Sequence, residues 1–243
     1  LKDHGVAAAV KHFPGDGVDE RDQHLVASVN SLSVEEYDKT YGTVWKEVVD
    51  TGTLSIMVGH IMQPAYSRYL NPDLRDEDIL PATLSKEILQ GLLRGKLGFN
   101  GMIVTDATPM MGFNTPMKRS QAVPAALAAG CDMILFNKDI REDYQFVRDA
   151  IADGRLSMER VDEAVTTILA MKAAMGLPES KEAGKLVPGA EALSAVACEE
   201  HKKWTKECAD ECVTLVKDTQ NLLPISPDKY KKIRLYLLED RIG

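Results

Sequence analysis

A chain of 243 residues with 44% apolar and 27% charged side chains is long enough for one large core and has the balance of a globular protein. Its formal charge of −8 repels polyanions, which excludes a general nucleic-acid or anionic-membrane surface and leaves a neutral or weakly charged small molecule as the natural partner. No apolar run approaches the ~18 residues of a membrane span, and the four cysteines, Cys131, Cys198, Cys208 and Cys212, have no disulfide-framework spacing.

Four apolar runs of strand length, each followed by a helical pattern, recur along the chain: Val6 to Phe13, Leu54 to Ile61, Met102 to Thr105 and Met133 to Phe136. Alternating strand and helix predicts βα units and a parallel sheet. After the first run, Ser33 and Glu36 form a capping box for a helix that buries Val34, Tyr37, Tyr41, Val44 and Val48 and stops at Gly52. A second helix follows Pro81 and Thr83, turns Leu84, Ile88 and Leu92 inward and ends at Gly98. A third, from about Met117 to Ala129, carries Pro124 and is expected to kink or start late. Tyr144, Val147 and Ile151 mark a fourth before Gly154. Ser157 opens a fifth, with Val161, Val165, Ile168 and Met171 on one side, ending at Gly176. Beyond Leu177 the composition changes. Glu179 to Pro188 reads as a polar linker, about Ala190 to Glu211 as a helix, and Val213 to Val216 and Ile233 to Leu238 as short strands opening a second α/β domain.

Reactive groups stand at the end of every predicted strand: Lys11 and His12, then His60, then Asp106, then Asn137. A (β/α)₈ barrel distributes its chemistry over several C-terminal strand ends in this way, whereas a doubly wound sheet concentrates it at one switch point. Four units make half a barrel. The predicted domains are therefore 1–178, the C-terminal half of a TIM-like barrel; 179–212, a linker and connecting helix; and 213–243, the beginning of a C-terminal α/β domain. With Leu1 already close to a strand, a fragment or a trimmed chain is expected, and any leader or anchor would lie ahead of it.

Asp106 follows a buried strand. A carboxylate there caps a helix, pairs with a cation, or acts as a nucleophile. In Asp22-Gln23-His24 the carboxylate can hold one imidazole nitrogen and leave the other to deliver a proton. Lys11 and His12 can donate to substrate hydroxyls, or serve structurally, with the lysine paired to Asp16 or Asp19. Neither the opening histidines and aspartates nor Cys198, His201, Cys208 and Cys212 have metal-ligand spacing, so no metal or cofactor is expected. Phe13-Pro14-Gly15-Asp16-Gly17 lacks the Gly-Lys-Ser/Thr ending of a nucleotide-binding loop.

Lys-His-Phe-Pro-Gly-x-Gly at 11–17 followed by Asp-x-His at 22–24, with Gly-Phe-x-Gly-x-Ile-Val-Thr-Asp-Ala at 98–107, resembles glycoside hydrolase family 3, specifically its β-N-acetylglucosaminidase branch. The resemblance runs from about Val6 to Leu177 and resumes at Val213 to Ile225, which looks like the entry to that family's C-terminal sandwich domain. It implies Asp106 as the nucleophile, His24 as the general acid/base with Asp22 as its partner, and Lys11, His12 and His60 at the sugar. It also implies a retaining reaction on terminal β-N-acetylglucosamine of cell-wall or chitin-derived oligosaccharides. An imidazole acid departs from the two-carboxylate plan of most glycosidases. Because it does not repel an anion, phosphorolysis is the neighbouring alternative. The branch has histidine where Asp16 stands, and this extra carboxylate would discourage an anionic acceptor. Relatives also contribute an Asp and an Arg from earlier strands that nothing here matches, so these 243 residues alone would be inactive. The alternative of another class is a non-catalytic carbohydrate-binding or structural fragment.

Overall fold

The structure, a computed structural model, describes residues 5–237. It divides into two units, Leu1–Leu186 and Val187–Gly243. The first is built on a parallel sheet of three strands, β1 (Ala9–Phe13), β3 (Ser55–Val58) and β5 (Met102–Thr105), in that spatial order. Two shorter strands, β2 (Ser28–Val29) and β4 (Ile61–Met62), form a second parallel pair. Sequence order and spatial order coincide across β1, β3 and β5, so the sheet has no switch point. Ser55 to Val58 pair in unbroken register with Met102 to Thr105, whereas the β1 pairing shifts between Val10 and Phe13.

Helices cover one face of this sheet. Ser33 and Glu36 cap each other reciprocally, starting Val34–Tyr37; the chain passes through a π-helical turn, Asp38–Gly42, into Thr43–Asp50. The next long helix, Glu87–Lys96, is π-helical throughout and buries Ile88, Leu89, Leu92 and Leu93 completely. Each such side chain contributes about 1.5–3 kcal/mol of gross hydrophobic stabilisation. Phe13, Trp45, Tyr37, Tyr66, Ile56, Val58, Ile103 and Phe113 complete this core. Arg119–Ala129 carries Pro124 in its interior. The proline has no N–H to give Ser120, and the Ser120 carbonyl instead accepts from Arg155 Nη1 at 3.3 Å, so the helix continues. Asp139 caps Ile140–Ala152 and Ser157 caps Met158–Ala174. On that last helix Val161, Ile168 and Met171 are half-buried as their spacing predicts, but Val165 is exposed and its neighbour Ala164 takes the buried place.

Several expectations are corrected. Met133 to Phe136 is not a strand: only Met133 bridges to Val104, after which Leu135 N–H turns to the Thr105 hydroxyl and Phe136 adopts φ 49°. The helix Pro64–Leu70, begun by Pro64 and capped by the Gln63 side chain, carries too short an apolar pattern to announce itself. The polar segment after Leu177 opens with a helix, Leu177–Glu182, rather than as linker throughout.

In the second unit the predicted single helix is a 3₁₀ segment, Ala190–Ala195, followed by an α-helix, Glu199–Cys212. Val213 to Val216 and Ile233 to Leu237 form no strand, since neither meets a partner edge; Leu238 lies outside the described residues. No described residue of this unit is buried, so it has no core of its own among those residues. No described helix is long and apolar enough to cross a membrane.

Candidate active site

The predicted site residues gather at the C-terminal ends of β1, β3 and β5 and in the loop after β1. That loop is shaped from behind by aromatic side chains of the following helices. Tyr37 Oη and Trp45 Nε1 both donate to the Pro14 carbonyl, at 2.7 and 2.9 Å, and Tyr41 Oη donates to the Asp16 carbonyl at 2.6 Å. Gly15 has φ +140°, and a Cβ there would lie 2.1 Å from the Tyr41 ring, so only glycine fits this approach. The peptide bonds Lys11–His12 and Phe13–Pro14 are cis.

Asp106 is the first residue past β5 and is only 8% exposed. Its Oδ1 accepts from the Ala107 amide at 2.7 Å. Its Oδ2 is buried and has no hydrogen-bond partner among the described residues. His12 Nε2 stands 3.3 Å from Asp106 Oδ2 but without hydrogen-bond geometry. An unpaired buried carboxylate oxygen costs about 1–3 kcal/mol, more when charged, and is retained where it has work to do.

His12 stands between two carboxylates, with Nδ1 2.6 Å from Asp16 Oδ2 and Nε2 facing Asp106. Asp16 therefore fixes the ring that faces the candidate nucleophile. Lys11 is exposed and has no ion-pair partner among the described residues; Asp16 pairs with His12, and Asp19 is held by Arg21. A cavity of about 260 Å³ opens beside Lys11, His12 and Asp16, against Tyr41 and Trp45; its lining does not include Asp106 or His24.

Asp22 and His24 form a close pair, Nδ1 to Oδ1 2.6 Å, and the His24 amide donates to the same oxygen at 2.9 Å. These two donors hold the Asp22 carboxyl below the usual carboxylate range, chiefly through the amide. Both side chains are open to solvent, 64% exposed for His24 and 56% for Asp22, leaving His24 Nε2 free. The loop carrying them is fastened to the segment after Asp106: Met111 N–H donates to the His24 carbonyl and Gly112 N–H to the Gln23 carbonyl, both at 3.1 Å.

His60 lies elsewhere in the arrangement than the resemblance suggests. It is fully buried, with Nε2 3.0 Å from the Ala107 carbonyl and Nδ1 2.9 Å from the Thr83 hydroxyl. Because a carbonyl only accepts, Nε2 carries a proton, and burial holds the ring's pKa below its ordinary value, favouring the neutral form. Both nitrogens are occupied by protein groups, one of them on the residue next to Asp106.

Sequence reasoning missed Gln23. It is buried at the centre of these contacts, with Oε1 accepting from the His60 amide at 2.7 Å and Nε2 donating to Asp16 Oδ1 at 3.3 Å. Its place between Asp22 and His24 was the only signal, and nothing in a lone glutamine announces three tertiary bonds.

The profile described as "Glycosyl hydrolase family 3 N terminal domain" matches residues 1–171. The chain belongs to glycosyl hydrolase family 3. A protein of Cellulomonas fimi named beta-N-acetylglucosaminidase/beta-glucosidase is 49% identical over 236 residues, which cover 97% of this chain and 41% of that relative. Among solved structures, the beta-glucoside phosphorylase BglX has a TM-score of 0.82 at 46% identity, over 94% of this chain and 40% of that one. A family 3 beta-N-acetylglucosaminidase from Paenibacillus sp. str. FPU-7 has a TM-score of 0.71 at 28% identity, over 91% of this chain and 40% of that one. The chain thus spans about two-fifths of the length of these relatives. The family places the first unit in a TIM-barrel-type fold, in agreement with its parallel sheet.

Proposed function

We propose that this chain carries the catalytic groups of a retaining enzyme that cleaves terminal β-N-acetylglucosaminides, or β-glucosides, through a glycosyl-enzyme on Asp106. The observation that carries the reading is the buried, unpartnered Asp106 Oδ2, aimed from a strand end while Oδ1 is tied to the Ala107 amide. In the first step Oδ2 attacks the anomeric carbon, the glycosidic C–O bond breaks, and the leaving oxygen takes the proton of His24 Nε2. In the second, the neutral imidazole removes a proton from the acceptor, whose oxygen attacks the anomeric carbon and releases Asp106. Asp22 holds His24 through Nδ1 and balances the imidazolium that forms after the second step. His12 and Lys11 face sugar hydroxyls; His60 supports Asp106 through Ala107 rather than gripping the sugar.

Water is the acceptor in this reading, and Asp16 beside His12 adds negative charge that disfavours an anion. Inorganic phosphate is a second reading, favoured by an acid/base that is an imidazole and by the likeness to a beta-glucoside phosphorylase. Residues 1–178, within the first unit, are read as the C-terminal half of the barrel, with 179–212 connecting them to the start of a C-terminal α/β domain at 213–243. The unpaired outer edge of β1 and the greater length of the relatives support this division. The test is product analysis of the full-length protein on an aryl β-N-acetylglucosaminide and an aryl β-glucoside, with and without phosphate. Free sugar under both conditions supports hydrolysis, sugar 1-phosphate as main product replaces it with phosphorolysis, and binding without turnover refutes an enzyme.

A further inference from the structure

Gln23 joins three separate parts of the site. Its side-chain oxygen takes the His60 amide at the end of β3, its side-chain nitrogen reaches Asp16 in the loop after β1, and its carbonyl takes the Gly112 amide beyond β5. Asp16 in turn holds His12, which faces Asp106. A continuous chain of contacts therefore runs from the candidate nucleophile to the residue flanked by Asp22 and His24. Two glycines make room for it. A Cβ at Gly59 would stand 3.1 Å from Gln23 Oε1 and 3.1 Å from His12 Cβ, and one at Gly112 would stand 3.1 Å from the Gln23 carbonyl and 2.8 Å from His60 Cβ. Asp22 and His24, by contrast, are open to solvent and bond mainly to each other. Without Gln23, the backbone bonds from Met111 and Gly112 would be left to hold the exposed pair against the segment that follows Asp106.

We infer that Gln23 is the positioning residue of the acid/base loop: by clamping the loop to Asp16, His60 and Gly112 at once, it sets the reach of His24 relative to Asp106. The inference rests on the proposed roles of Asp106 and His24, and it makes the loop a preorganised element instead of one assembled by substrate. Misplacing a proton donor by about 1 Å costs on the order of 10²-fold in rate, and only where a proton is needed.

The test measures kcat and KM of the full-length protein on two aryl glycosides of one sugar: a phenyl glycoside, whose leaving group must be protonated, and a 2,4-dinitrophenyl glycoside, whose leaving group departs unaided. Gln23→Ala is expected to lose about 10²-fold in kcat/KM, which reports the first step alone, on the phenyl glycoside and less than about tenfold on the activated one. Gln23→Glu keeps an acceptor for the His60 amide but cannot donate to Asp16, and is expected to show the same split. If thermal melting shows that Gln23→Ala does not fold, Gln23→Glu decides. Equal loss of kcat/KM on both substrates, or no loss, overturns the inference. Asp106→Asn run alongside separates the two levels: residual turnover there defeats the proposed function, whereas an unsplit Gln23 effect with Asp106→Asn inactive defeats only this inference.

Discussion

His60→Ala tests whether the histidine after β3 supports the nucleophile or touches the sugar. The substitution removes two buried hydrogen bonds, to the Ala107 carbonyl and the Thr83 hydroxyl, each worth about 1 kcal/mol. It also removes the contact with the Phe113 ring at 5.1 Å between centroids, worth roughly 0.5–1.5 kcal/mol. The Ala107 carbonyl keeps the Met110 amide at 3.2 Å, so a loss of about 2.5–3.5 kcal/mol follows, or a fall of roughly 5–14 °C in Tm for a domain of this size. In steady-state kinetics at a temperature where the variant is folded, kcat should fall while KM stays within about twofold, because Ala107 is the neighbour of Asp106. The pH dependence adds a second readout. Burial holds the His60 pKa below 6.5, so between the folded and unfolded values the unfolded chain binds the extra proton. The contribution to stability is complete above about pH 6.5 and is lost as the pH falls through the lower, folded value. Wild type should therefore lose Tm on acidification from pH 7 to 5 more steeply than the variant. A large rise in KM with Tm unchanged would refute the reasoning and return His60 to the sugar.

Asp22→Asn keeps the shape of the pair but removes the charge that accepts the His24 amide and ring, so a poor-leaving-group substrate should lose roughly a hundredfold in kcat/KM with an activated one spared, which a leaving-group series checks. Asp132→Ala removes a buried carboxylate that accepts from Arg94 (2.9 Å), Arg160 (2.6 Å) and the Ile103 amide (2.9 Å) of β5. Leaving those two guanidinium groups without their partner should cost about 3–5 kcal/mol in chemical denaturation, with KM of the surviving folded protein unchanged.

Local signals were the legible ones. The capping box at Ser33 and the cap at Ser157 act within one turn, and the first three residues of β5, Met102 to Val104, are apolar because both of its faces are buried, so the chain shows them without its neighbours. The motif residues Asp106, Asp22 and His24 were likewise visible, since a carboxylate behind a buried strand and an Asp-x-His pair are unusual in themselves. Pairing was not legible. Met133 to Phe136 and Val213 to Val216 have the residues of strands, but a strand also needs a neighbouring edge in register, which sequence pattern alone does not supply. The same holds within the site. His60 looked available for a sugar until Thr83 and Ala107 claimed both ring nitrogens, and Gln23 gained its role only when three strand ends met around it.

In the proposed mechanism Asp106 becomes covalently bonded to the sugar. Incubating the full-length protein with a fluorinated glycoside that forms its glycosyl-enzyme faster than it is released, then digesting and sequencing by mass spectrometry, reads the attachment site directly. One sugar per chain is expected, on the peptide containing Asp106 and absent from Asp106→Asn; a label on any other residue, or an Asp106→Asn protein that still accumulates it, would show that Asp106 is not the nucleophile.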